Sequence, residues 1–67
     1  MDAIPVPATD PRLKRNTRMY VARDLLRALD KVRESYALRP DWTPPKAIYY
    51  VQRSGYVEVH APVEVEA

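Results

Sequence analysis

Four cations within seven residues, Arg12, Lys14, Arg15 and Arg18, are the densest chemistry in this chain. Side chains of this kind neutralise phosphates and release condensed counterions, which gives strong binding that does not read base sequence. Arg23, Arg27 and Lys31 follow at intervals of four and would form a basic row along one helix face. All eleven Lys and Arg lie between Arg12 and Arg53 alongside four acids, so that stretch carries a net +7, whereas the flanks carry −5. A basic centre between acidic ends suits a polyanion surface. The same charges serve equally well to solvate an exposed helix.

A second group is aromatic. Tyr49, Arg53 and Tyr56 would share one face of a hairpin, where aromatic rings and a guanidinium can stack nucleobases or meet a protein partner. Trp42, the only tryptophan, stands among prolines and either covers one end of a helix stripe or anchors a partner. Glu58 and His60, two residues apart, have the types needed for a proton-transfer pair. Residues so placed more often decorate a solvated face. No G-x-S-x-G motif or Walker-type loop is present, Gly55 is the only glycine, and there is no cysteine. The expectation is therefore a non-enzymatic protein without cofactor or metal.

The elements that must position these groups are short. Sixty-seven residues form one domain at most, and a chain this small buries only about 60% of the surface its unfolded form exposes. With no disulfide as a staple, a homodimer or docking on a larger protein is expected. No apolar run approaches the ~20 residues of a membrane span, and Met1 to Pro11 lacks the pattern of a secretory signal. Cytoplasm is the default, no membrane is expected as a partner, and a phage or mobile-element origin would suit the size.

Prolines at 5, 7 and 11 make residues 1–15 an extended, Pro-rich and basic arm. Residues 16–67 form the single small domain. Within it, Ala22, Leu25, Leu26, Leu29, Val32 and Tyr36 follow 3–4 spacing and predict a long amphipathic helix over about 22–38, ended by Pro40. Its start is open, because residues 16–21 also read as a strand. From 47 to 61 the pattern changes to alternation around Ser54-Gly55, which predicts a hairpin. Its pairs would be Arg53–Tyr56, Gln52–Val57, Val51–Glu58, Tyr50–Val59, Tyr49–His60 and Ile48–Ala61. Ile48, Tyr50, Val57 and Val59 should then be buried against Leu25, Leu26 and Leu29. Beyond Pro62, the alternation Val63-Glu64-Val65-Glu66 suits a short edge strand. The fold class is α+β: an extended basic arm, one long amphipathic helix, then a hairpin on the helix stripe.

The run Thr17-Arg-Met-Tyr-Val-Ala-Arg-Asp-Leu-Leu-Arg-Ala-Leu-Asp-Lys-Val32 resembles the start of ribbon-helix-helix DNA-binding proteins. The resemblance implies an alternative fold, a dimer whose paired strands enter the DNA major groove. Asn16, Arg18 and Tyr20 would face outward and read bases, Thr17, Met19 and Val21 would face inward, and a second helix would begin at Thr43-Pro-Pro-Lys-Ala-Ile48. That helix and the hairpin exclude each other. Both routes lead to a nucleic-acid-binding regulator, through Arg12, Lys14, Arg15, Asn16, Arg18, Tyr20, Arg23, Arg27 and Lys31. The alternative function is a protein-interaction subunit or inhibitor that uses Trp42, Tyr49, Arg53 and Tyr56.

Overall fold

In a computed structural model that describes residues 2–63, the hairpin forms where alternation and turn chemistry place it. Strands β3 (Ala47–Arg53) and β4 (Tyr56–Pro62) pair antiparallel, with Tyr49 opposite His60, Tyr50 opposite Val59, Val51 opposite Glu58, Gln52 opposite Val57 and Arg53 opposite Tyr56. Gly55 has φ 82°, a left-handed conformation that a residue without Cβ adopts at no steric cost. Face sorting follows the register. Ile48, Val57, Val59 and Ala61 are almost completely buried beneath the helix, while Tyr49, Arg53, Glu58 and His60 belong to the opposite face.

Two strands flank the hairpin. β1 (Asp2–Pro5) runs parallel to β3, and β2 (Thr17–Ala22) runs antiparallel to β4, so the sheet order is β1-β3-β4-β2. Helix α1 (Leu25–Ala37) connects β2 to β3 and packs on one face. No helix among the described residues is long and apolar enough to cross a membrane.

The predicted long helix is shorter at its N-terminal end. Residues 17–22 take the alternating, strand-like option and pair with β4, so α1 starts only after Asp24, whose side chain accepts the Arg27 N–H at 2.8 Å and caps the first turn. The helix is 13 residues long and ends before Pro40. The stripe also differs by one position. Ala28, Val32 and Tyr36 are buried with Leu25 and Leu29 half-buried beside them, whereas Leu26 is 74% exposed. At about 100° per residue, Leu26 stands roughly 120° around the helix from Val32 and misses the sheet.

The N-terminal segment, read from the sequence as an arm outside the domain, contributes strand β1 to the sheet. The Asp2 N–H bonds to the Lys46 carbonyl and the Val6 N–H to the Tyr50 carbonyl, each at 3.0 Å. Pro5 lies between these donors, at the position whose missing N–H would point away from β3, which is where an edge strand tolerates proline. Because β1 and β2 are opposite edges, residues 6–16 cross the face that the helix leaves open, with a short 3-10 turn at Pro11–Lys14. Val51 and His60 on that face are buried, which an uncovered sheet face would not allow.

The second helix that the resemblance implies is absent, because Ala47–Arg53 is strand. Pro44 and Pro45 sit in the connecting coil, where two missing amide donors cost no ladder bond. Val63 donates its N–H to the Asn16 carbonyl at 3.0 Å, and the rest of the expected edge strand, from Glu64 onward, lies outside the described residues.

Candidate nucleic-acid interface

Strand β2 alternates its side chains between the two faces of the sheet. Tyr20 and Arg18 point to the helix side, and Met19 (58% exposed) and Val21 (38%) to the other. This is the reverse of the alternation that the resemblance implies. The Tyr20 hydroxyl donates to Ser35 Oγ at 2.9 Å, so Tyr20 fastens β2 to α1. Its ring packs on the core and is not presented as a reader of bases.

Arg18 reaches the C-terminal end of α1. The Arg39 N–H bonds to the Tyr36 carbonyl at 3.2 Å and the Trp42 N–H to the Arg39 carbonyl at 2.9 Å, a turn that folds the chain back past the helix end. The Trp42 ring then meets Tyr36 edge-on, with centroids 5.5 Å apart and planes at 68°. The Arg18 guanidinium lies 3.4 Å from the Trp42 ring centroid and the Arg39 guanidinium 4.6 Å from it. Arg18 also donates to the Tyr36 hydroxyl at 3.4 Å. No carboxylate pairs with Arg18 or Arg39 among the described residues. A guanidinium stacked on an aromatic ring keeps its in-plane N–H groups available, and those groups match phosphate oxygens. Beside the cluster an open depression of about 510 Å³ is lined by Arg33, Tyr36, Ala37, Pro40, Trp42 and Pro44.

The other residues singled out from the sequence are spread around the molecule. Lys14, Arg15 and Asn16 are exposed on the approach to β2. Arg12 is engaged elsewhere: it pairs with Asp10 at 2.9 Å and lies over the Tyr49 ring, 4.4 Å from its centroid. Those hydrogen bonds from Arg12 hold the Asp10 carboxyl down at about 2, and Asp10 in turn raises Arg12 above the usual guanidinium value. Arg23, Arg27 and Lys31 do share one side of the molecule, where with Ala22 and Asp30 they line an open depression of about 340 Å³. Arg27 pairs with Asp24 at 3.2 Å, and the Lys31 ammonium donates to the Val21 carbonyl at 2.6 Å.

Tyr49, Arg53 and Tyr56 share the open face without forming a free stacking surface. Arg12 covers Tyr49, and Arg53 is tied to Glu58 at 3.1 Å. Arg53 also holds the Glu58 carboxyl below its ordinary value, against the opposing effect of burial. His60 Nε2 lies 3.5 Å from Glu58 Oε1, and the nitrogen makes no hydrogen bond among the described residues. Thr17 Oγ1 stands 3.4 Å from His60 Nδ1 on the ring's other side.

Arg39 is the member of the cluster that sequence reasoning missed. Its signal was its place in the Arg39-Pro40-Asp41-Trp42 turn, which brings a cation back onto an indole three residues later. Compared with models of protein families, with curated proteins and with solved structures, the chain matches none.

Proposed function

We propose that this protein is a non-enzymatic nucleic-acid-binding regulator whose phosphate contacts centre on Arg18 and Arg39. The observation that carries this reading is the Trp42 ring flanked by two guanidiniums that have no carboxylate partner among the described residues. The indole holds both cations close together, where their N–H groups can meet the oxygens of one phosphate backbone. Lys14 and Arg15, exposed just before β2, add positive charge close to Arg18 in the chain. Arg12, Arg27, Arg33 and Arg53 each face a carboxylate and contribute less.

Titrating labelled single-stranded and duplex oligonucleotides over a range of salt concentrations tests the reading. Each phosphate neutralised contributes about 0.9 to the slope of log affinity against log salt on duplex DNA, and about 0.7 on single strands. Trp42, as the sole tryptophan, reports the same event by its fluorescence. Absence of any salt-dependent binding to either nucleic acid at low ionic strength removes the proposal.

A further inference from the structure

Strand β2 is an edge of the sheet, and its unpaired side is laid out to receive another strand. In an antiparallel ladder, successive residues direct their backbone groups to alternate sides. The Asn16 carbonyl accepts from Val63, and the register sets Arg18 against Ala61, Tyr20 against Val59 and Ala22 against Val57. These residues face β4, so Thr17, Met19 and Val21 aim their N–H and C=O groups away from the sheet. Of those six groups, the Val21 carbonyl has a partner among the described residues, the Lys31 ammonium at 2.6 Å. The opposite edge is different. β1 is four residues long, and the groups it turns outward belong to Ala3 and Pro5, so it presents no amide donor at Pro5. Proline and shortness blunt that edge, and β2 has neither protection.

The two sides of the β2 edge differ in chemistry. Toward the open face lie Met19 and Val21, both exposed apolar side chains. Toward the helix lie Arg23, Lys31 and Arg27, three cations against Asp30 in the depression beside Ala22. Arg27 pairs with Asp24, and Lys31 has no carboxylate partner among the described residues. A strand added here has its alternate side chains beside an apolar surface and a cationic one. We propose that the free edge of β2 accepts, by strand addition, an extended segment of a partner protein in which apolar residues alternate with acidic ones. The apolar residues stand opposite Thr17, Met19 and Val21, and the acidic residues point to the side of Lys31. Lys31 moves from the Val21 carbonyl to a partner carboxylate, which releases that carbonyl to the new ladder. A second copy of β2 fits less well, because two-fold pairing about Met19 sets Arg15 across from a second Arg23, and like charges directly opposite destabilise a pair. Arg18 belongs to the same strand, but the inference rests on the outward backbone groups of Thr17, Met19 and Val21 and on Lys31, so it does not depend on the nucleic-acid reading.

The test measures binding of the full chain to two labelled hexapeptides by fluorescence anisotropy, one alternating valine with glutamate and the other valine with lysine. The glutamate peptide should bind saturably, and the lysine peptide at least about tenfold more weakly. Met19→Pro removes one outward N–H without touching a bond to β4, and should weaken binding by about tenfold. Lys31→Glu, at an exposed position, should reverse the preference between the peptides, and it decides the matter if the proline variant unfolds by circular dichroism. The inference is overturned if neither peptide binds, if the two bind alike, or if Lys31→Glu leaves the preference unchanged.

Discussion

Arg12 lies over the ring of Tyr49, 4.4 Å from its centroid, and so ties the segment crossing the open face to the sheet beneath it. The same guanidinium holds Asp10 at 2.9 Å, and the Asp10 side chain also accepts the Arg12 backbone N–H at 2.8 Å. An arginine that would otherwise extend the basic surface is thereby committed to structure.

That arrangement gives the fold an acid-sensitive tie. The Asp10 carboxyl is lowered from 3.8 to about 2, chiefly by its side-chain hydrogen bond with Arg12, so the folded state favours the ionised form. Its contribution is therefore complete above the unfolded value, and it is lost as pH falls from about 3.8 toward 2. Glu58, lowered mainly by Arg53, acts in the same direction. Urea denaturation at a series of pH values should show stability declining in this window, with a shallower decline in Asp10→Asn. Equal declines in the two proteins would show that the tie contributes nothing.

Burial separates two aliphatic residues that the sequence alone treats alike. Ile48 is fully buried and Leu26 is 74% exposed. Ile48→Ala should cost about 2–5 kcal/mol through lost burial and the cavity left behind, enough to unfold much of so small a domain. Leu26→Ala should stay within about 0.5 kcal/mol of the parent. Chemical denaturation of both variants checks the contrast, and a large loss at Leu26 would place it in an interface.

At Gly55 the expected penalty is purely conformational. A Cβ built there meets nothing within 4 Å, yet φ is 82°. Gly55→Ala should therefore destabilise the hairpin by about 1–2 kcal/mol, the usual cost of left-handed backbone for a residue with a Cβ, and Gly55→Asn by less. Thermal melts of the two variants that rank them the other way would contradict this account of the turn.

For the nucleic-acid reading, the informative comparison is between arginines. Arg18→Ala with Arg39→Ala should flatten the salt slope by roughly 1.4 units on single strands or 1.8 on duplex. Arg12→Ala and Arg53→Ala should change it little, because their guanidiniums already face Asp10 and Glu58. A larger effect from the second pair would move the interface to the open face of the sheet.

Much of this architecture was legible in short windows of sequence. The hairpin register from Tyr49 to His60 follows from period-two alternation around Ser54-Gly55, because a one-residue slip would put Ile48 on the opposite face of the sheet from Val57 and Val59. The helix stripe through Leu25, Leu29, Val32 and Tyr36 was equally visible, and so was the alternation of residues 17–21 as one of two options. The basic centre could be counted, but which of its members are free could not. Arg12, Arg27 and Arg53 looked as available as Arg18 until their carboxylate partners were placed.

What the sequence by itself determined is local: alternation, helical spacing, proline stops and one glycine turn, each set by sterics and burial within about a dozen residues. Only the tertiary structure decided that residues 2–5 join the sheet, because their partner edge exists only once β3 has formed. The same holds for β2, whose pairing with β4 shortened the expected helix and turned Arg18 toward Trp42. Such contacts join residues far apart in the chain, and the loop-closure entropy they oppose is overcome by the buried face as a whole. No short window of sequence contains both Arg18 and Trp42, so their meeting belongs to the fold.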